Sequence, residues 1–224
     1  MKYRHELKYI ISATQAEILK QRLKLVMEID NNSIYPDHTY LIRSLYFDDI
    51  YSSSYYEKLD GVLYRKKYRI RMYNNDDNFI RLECKYKHNN MTSKEQAVLS
   101  KELCNKIISG DIDIVSDNKL INRFIIEMKT KHLIPSVIVD YKRLAYTYHV
   151  STVRITFDSN IKSGVYNYNL FDNNQSFLNV IDDNLVVLEV KFNEVLPSHI
   201  AIILETIPSF RQAVSKFALC RGVK

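Results

Sequence analysis

In at least five stretches of the chain, charged residues alternate with apolar ones at a period of two. The first is Arg4-His5-Glu6-Leu7-Lys8 and the second is Arg69-Ile70-Arg71. Glu83-Cys84-Lys85-Tyr86-Lys87, Arg154-Ile155-Thr156-Phe157-Asp158 and Glu189-Val190-Lys191 follow. Strand side chains point to alternate faces, so each charged set lies on one face of its strand. The residues between them are mostly apolar or aromatic and form a face built for burial. If these strands share a sheet, the charges converge into one basic surface containing a few carboxylates. Such a surface suits a highly anionic ligand.

The same patterns predict strands over 2–12, 39–48, 62–73, 79–88, 135–148, 151–158 and 185–193. The pair 62–73 and 79–88 reads as a hairpin around Asn74–Asn78, and 135–148 is expected to bend near Lys142. Apolar spacings of three and four predict helices over 14–28, 92–110 and 117–131. Thr14 and Glu17 resemble a capping box for the first, and Gly110 closes the second. A short helix is expected over 51–58, with Asp60-Gly61 as a turn, and a further helix over roughly 208–219. Asp30 to Asp37 reads as a polar loop, and 161–184 is polar and aromatic with little pattern. Without repeat or boundary, residues 1–224 read as one α+β domain of antiparallel strands with peripheral helices.

The ionic face has two outlets. An antiparallel sheet often leaves one face in water. Here, however, paired positions are expected to be mostly like-charged, and like charges directly opposite each other destabilise a sheet. A bound anion or metal–anion complex would relieve that crowding. Closing about eight strands into a barrel would remove exposed edges and turn the ionic faces inward. The result is a closed antiparallel β-tunnel, wet inside, with helices packed on the outside.

Composition sharpens this picture. The net charge is +6, and its whole excess is accounted for by Arg4, Lys8, Arg69, Arg71, Lys85, Lys87, Arg143, Arg154, Lys191 and Lys216, offset by Glu6, Glu83 and Glu189. A general nucleic-acid binder would spread its basic residues over an exposed face or tail, so no specific nucleic acid is expected as a partner. Cys84, Cys104 and Cys220 are odd in number and lack CxxC spacing, which argues against a disulfide framework or thiolate zinc site. No apolar run approaches the ~20 residues of a membrane span, and the start lacks an apolar signal core, so a cytoplasmic protein is expected. The six histidines show no metal spacing, and neither a P-loop nor a G-x-S-x-G turn is present. Tyr46 and Phe47 read as core residues at a strand end.

Phosphate chemistry fits what remains. Arg offers planar paired donors to phosphate oxygens, and Lys offers a compact charge. Phosphoryl transfer needs positioning and charge neutralisation more than covalent chemistry. Carboxylates among many cations are natural oxygen ligands for Mg²⁺ or Mn²⁺, and Glu189, flanked by apolar residues, is the first choice.

The ordered set Arg4-x-Glu6-x-Lys8-Tyr9, Leu45-Tyr46-Phe47-Asp48, Tyr55-Tyr56-Glu57-Lys58-Leu59 and Arg69-Ile70-Arg71-x-Tyr73 continues with Glu83-x-Lys85 and Tyr141-x-Arg143. It ends with Val153-Arg154-Ile155-x-x-Asp158, Leu188-Glu189-Val190-Lys191 and Ser215-Lys216-Phe217. Together these resemble the VTC domain, the polyphosphate polymerase branch of the triphosphate tunnel metalloenzymes, over nearly the whole chain. The resemblance implies transfer of the γ-phosphoryl group of ATP to a polyphosphate chain inside the tunnel, with a divalent metal, typically Mn²⁺. It implies that Lys8, Arg69, Arg71, Lys85, Arg143 and Arg154 bind the phosphates in the reacting centre. It casts Tyr141 and Ser215 as hydroxyl donors and Lys216 as the lysine of the last helix. Arg4, Lys87, Lys94 and Lys191 join them as further substrate-binding residues. Glu189 resembles the metal carboxylate, and Glu6 is its expected companion.

Two departures stand out. Eukaryotic members carry a lysine where this chain has Ala213, and Arg211 is expected to stand in by reaching back along the helix. Eukaryotic members also bring a membrane module and a phosphate-sensing domain, so a membrane-protein partner is the expected link to the inner face of a membrane. Two other readings stay open: a tripolyphosphatase or nucleoside triphosphatase of the same fold, and a polyphosphate-binding module without catalysis. Arg4 stands where hydrolytic relatives begin a Glu-x-Glu-x-Lys strand, which tilts away from hydrolysis.

Overall fold

The alternating strands close on themselves. A computed structural model describes residues 3–33, 37–164, 166–208 and 211–223. The parts of the expected 30–37 loop and of the expected 208–219 helix that fall on 34–36 and 209–210 lie outside the described residues. Eight strands form the ring: β1 (Arg4–Ser12), β3 (Thr39–Asp48), β4 (Tyr64–Tyr73), β5 (Asp76–His88), β6 (Met91–Leu99), β7 (Ile134–Tyr148), β8 (Val153–Gly164) and β10 (Leu185–Phe192). Their order is β7-β3-β4-β5-β6-β1-β10-β8, and β8 returns to β7, with every pairing antiparallel. Two short strands, β2 (Glu28–Ile29) and β9 (Leu178–Asn179), attach to β7 and β8. Closure leaves no long open edge in the ring.

One seam is thin. β1 pairs with β6 only through Arg4–Thr92 and His5–Met91. Further along that edge of β1 lies the segment from Arg211 onward: Arg211 bridges Tyr9, and the Gln212 amide donates to the Lys8 carbonyl at 2.9 Å. This segment delivers Ser215 and Lys216 to the inside of the ring. It also corrects the expected long helix over 208–219, because the helix α6 covers only Lys216–Arg221.

Apolar faces of the strands point outward, under helices. Leu45, Ile70, Leu82 and Cys84 pack against α3 (Lys101–Ser109) and α4 (Lys119–Lys131), with Phe124 fully buried. Tyr146, Ile155, Leu188 and Val190 pack against α1 (Ala13–Leu23) and α5 (Ser198–Glu205). A third cluster lies inside the ring at one end. Val139 shares a face with Tyr141 and Arg143, and Val187 shares one with Glu189 and Lys191, and these valines pack with Phe217 and Cys220 of α6. The helix α2 (Ser53–Leu59) adjoins α6 there, so α6 is a plug at that end. Among the described residues, no helix is long and apolar enough to cross a membrane.

Local differences from expectation have physical causes. The helix expected over 92–110 is a strand, β6, followed by α3. Although Lys94, Glu95, Gln96 and Ala97 favour helix, exposed Lys94, Gln96 and Val98 alternate with buried Ser93, Ala97 and Leu99, and pairing with β5 wins. Gly110 closes α3 in the left-handed conformation, as its position predicts. The hairpin loop between β4 and β5 narrows to Asn74 and Asn75, both at positive φ, as a type I′ turn requires. β8 runs on to Gly164 because the bulge near Lys142 lets β7 and β8 continue pairing. The first helix starts one residue early and ends at Leu23.

Its capping box is Ser12 with Gln15, not Thr14 with Glu17: the Gln15 amide donates to Ser12 Oγ at 3.1 Å and the Ser12 amide donates to Gln15 Oε1 at 2.9 Å. Ser12→Ala should lower stability by about 1 kcal/mol in urea unfolding, with an unchanged denaturant slope.

Candidate active site in a cation-lined tunnel

Inside the ring lies a cavity of about 980 Å³. Its walls are the inward residues of the strands, chosen by the period-two alternation. Arg4, Glu6 and Lys8 come from β1, Arg65, Lys67, Arg69, Arg71 and Tyr73 from β4, and Lys85 and Lys87 from β5. β7 adds Tyr141 and Arg143, β8 adds Arg154, β10 adds Glu189 and Lys191, and α6 adds Lys216.

The centre is a network in which each carboxylate is shared by several cations. Lys8 Nζ stands 3.2 Å from Oε1 of Glu6 and 3.2 Å from Oε1 of Glu189, and donates to the Val214 carbonyl at 3.1 Å. Glu6 also accepts Lys85 on both oxygens at 2.8 Å. Glu189 is surrounded by Lys191 at 2.5 Å, Lys216 at 3.1 Å, Lys8, and Arg143 at 3.6 Å. Arg143 in turn makes a fork with Asp158, at 2.6 and 2.7 Å, and Lys216 stands 2.5 Å from the same carboxylate. Asp158 is fully buried behind them.

A second carboxylate anchors β4. Arg69 donates to Glu83 Oε2 through Nε at 2.7 Å and Nη2 at 2.5 Å, and Lys94 donates to Oε1 at 2.6 Å. Arg69 Nη1 reaches the Tyr46 hydroxyl at 2.8 Å. Arg71 is held by Ser44 Oγ at 2.9 Å and the Tyr141 hydroxyl at 3.1 Å. Glu83 has no exposure and does not line the cavity. Arg154 donates to the Tyr40 hydroxyl at 2.9 Å and pairs with Asp30.

Charge balance fixes the protonation states. Burial alone would push the Glu189 carboxyl up, but Lys191, Lys216, Lys8 and Arg143 hold it well below the usual carboxylate range. Burial also opposes ionisation of Glu6, and Lys85 and Lys8 overcome it. Burial would lower Lys8, yet Glu189 and Glu6 raise it above its ordinary value, so it stays charged. Burial prevails at three other lysines: it pushes the Lys191 amine down to about 7, although it donates to Glu189, and it lowers Lys85 and Lys94 as well.

All fifteen site residues singled out from the sequence line this one cavity. Their contacts differ from a uniform like-charged face. In register, Lys8 opposes Glu189, Glu6 opposes Lys191 and Arg69 opposes Glu83. The expected like-charged pairing is thus corrected at the centre, where opposite signs alternate. The hydroxyls of Tyr141 and Ser215 accept in the contacts described: Tyr141 from Arg71, and Ser215 from the Ala218 amide as the N-cap of α6. Arg211 is not on the helix; its backbone bridges Tyr9, so it reaches the cavity from a strand-like segment. Tyr46, expected in the core, lines the cavity and binds Arg69, while Phe47 is core as expected. Arg65 and Lys67 were not singled out, yet the alternation through Arg69 and Arg71 points straight back to them.

Among the described residues, no group of three or more His, Cys, Asp or Glu could hold a metal ion alone. Glu6 and Glu189, linked through Lys8, are hard oxygen donors facing the cavity. They fit a divalent cation whose remaining ligands are the oxygens of an incoming triphosphate, and they do not fit a resident protein-only metal cage. Cys104 and Cys220, pushed up to about 12 by burial, offer no thiolate ligands.

The VTC domain model matches residues 3–223. No curated protein matches the sequence. Among solved structures, the PH1819 protein from Pyrococcus horikoshii OT3 is 10% identical, with 99% of each chain covered and a TM-score of 0.51. A putative adenylate cyclase from Bacillus halodurans is 15% identical, covering 92% of this chain and 89% of that one, with a TM-score of 0.49.

Proposed function

The chain belongs to the VTC domain family, a branch of the triphosphate tunnel enzymes, and from that premise we propose that it is a metal-dependent polyphosphate polymerase using ATP. The observation that carries this reading is the length of the cationic row. From Arg65 to Arg71 the cavity face of β4 spans six residue steps, about 20 Å at ~3.3 Å per residue, with a cation at Arg65, Lys67, Arg69 and Arg71. A triphosphate needs only part of that length; a phosphate chain uses all of it.

In this reading, Arg69, Arg71, Arg143 and Arg154 neutralise the non-bridging oxygens through guanidinium forks. Lys8, Lys85 and Lys216 supply mobile point charges, and Lys8 steers the γ-phosphoryl group. Glu189, with Glu6, would hold a divalent metal, Mn²⁺ or Mg²⁺, which would neutralise charge developing on the triphosphate. Arg4, Lys87, Lys94, Lys191, Tyr141 and Ser215 complete the substrate envelope. The acceptor is the terminal oxygen of a phosphate chain, attacking in line.

The protonation states favour transfer over hydrolysis. A phosphate oxygen is already anionic and needs no proton removed, whereas water benefits from a general base. The carboxylates facing the chamber are held as weak bases by three or more cations, as Glu189 is by Lys191, Lys216 and Lys8. A membrane-protein partner and a cytoplasmic location remain part of the proposal through the family resemblance.

Purified protein incubated with ATP and Mn²⁺, then run on a polyacrylamide gel stained for polyphosphate, should give a ladder or smear. Lys8→Ala should reduce it at least tenfold. Orthophosphate without polymer would overturn the reading in favour of a triphosphatase, and tight polyphosphate binding without turnover would leave a binding module.

A further inference from the structure

Among the described residues, four tunnel cations that cluster where α2 meets β4 and β5 make no ion pair with a carboxylate. Lys58 of α2, Arg65 and Lys67 of β4, and Lys87 of β5 are half-buried and line the cavity. Every ion pair of the central network stops short of them. Arg65 donates to the Val62 carbonyl. The Lys67 amine is enclosed without a hydrogen-bond partner and lies over the Phe217 ring, 4.2 Å from its centroid.

The register makes the crowding worse. Arg65 stands opposite Lys87 and Lys67 opposite Lys85, whereas two residues further on Arg69 stands opposite Glu83. The same strand pair therefore changes from balanced to unbalanced charge within one step. Like charges directly opposite each other cost stability. The nearest carboxylates do not compensate. Asp48, at the end of β3, accepts the backbone amides of Asp49, Ser54 and Tyr55 around the start of α2. Glu57 of α2 opposes the effect only in part. Burial, Arg65 and Lys58 prevail, and the Lys67 amine is pushed down to about 7. Burial and neighbouring cations likewise push Lys58 and Lys87 down.

We propose that Lys58, Arg65, Lys67 and Lys87 form a second anion subsite of the tunnel, which takes a phosphate unit without metal. The central chamber pairs its cations with carboxylates, so it suits a metal-bound triphosphate. This cluster offers unsatisfied donors and no carboxylate to hold a cation, so it suits the bare anion. Naming that anion as a distal unit of a phosphate chain rests on the polymerase reading; the subsite itself does not. A bound anion stabilises the charged amine of Lys67, so binding above about pH 7 draws a proton onto it, and affinity falls as pH rises. The groups facing Lys67 are Arg65 on its own strand, Lys85 across β5, Asp48 from β3, and Lys58 and Glu57 from α2, with the apolar Phe217 from α6.

The test is calorimetric titration of inorganic tripolyphosphate into the full chain at pH 8, in EDTA and without ATP. The double variant Lys67→Met with Lys87→Ala should bind at least tenfold more weakly than the wild type. Its thermal midpoint in anion-free buffer should match or exceed the wild type, because repelling charges are removed. In two buffers of different ionisation enthalpy, the wild type should take up more protons on binding than Lys67→Arg, the difference cancelling proton changes at Lys191 and on the ligand. A loss of less than tenfold in the folded double variant, or equal proton uptake by the wild type and Lys67→Arg, overturns the proposal. The titration contains neither metal nor nucleotide, so failure of polymer synthesis leaves it standing.

Discussion

Glu189→Gln should lower metal-dependent turnover of ATP on the order of a hundredfold or more, about 3 kcal/mol of transition-state stabilisation. The substitution keeps the side chain's shape and removes one charge. Lys8, Lys191, Lys216 and Arg143 all converge on that carboxylate, so the tunnel becomes more positive by one unit where the triphosphate sits. Metal-free triphosphate should therefore bind at least as tightly as before, while kcat in Mn²⁺ collapses. The metal dependence of the loss separates a metal carboxylate from a merely structural ion pair, because Glu189 also holds buried cations and its removal lowers stability in either case. Steady-state kinetics beside a metal-free binding titration measures it. Turnover within threefold of the wild type would remove Glu189 from the metal role.

The second large effect is on stability. Glu83→Gln should destabilise the fold by about 3–5 kcal/mol, because breaking a buried ion pair leaves its partners uncompensated. Glu83 is fully buried and holds Arg69 and Lys94 directly, with Arg71 at 4.0 Å. Burial alone would raise its proton affinity, yet Arg69, Arg71 and Lys94 hold the carboxyl well below the usual range. Its folded-state pKa is thus depressed. The associated stabilisation is present above the unfolded value of about 4.3 and is lost as pH falls through the folded value. Urea unfolding at pH 7 should show the full gap between variant and wild type, and the gap should shrink in strong acid. A variant as stable as the wild type at pH 7 would mean that Arg69, Arg71 and Lys94 are relieved by water.

The ring and most of its lining were legible because both rest on a period of two. Glu83 and Lys85, or Glu189 and Lys191, sit one step apart across an apolar residue, and that alone sets their common face. What sequence could not supply was the partner across the strand pair. The charges of β1 and β10 are offset so that Lys8 meets Glu189, and that register follows from pairing along the whole strand. β6 was hidden by helix-favouring residues in an environment that only β5 could decide. The α6 plug was hidden too, since six residues carry little periodicity and its place depends on Arg211 and Gln212 lying along β1. Lys67 and Arg65 are legible by the same rule: Arg65-x-Lys67-x-Arg69-x-Arg71 is one unbroken alternation.

The fate of the γ-phosphoryl group separates a polymerase from a hydrolase. Incubating the protein with γ-labelled ATP and Mn²⁺ and separating polymer from orthophosphate measures that partition directly. A polymerase should place most of the released label in polymer, and Lys8→Ala should leave little in either fraction. Label recovered only as orthophosphate from the wild type would contradict it.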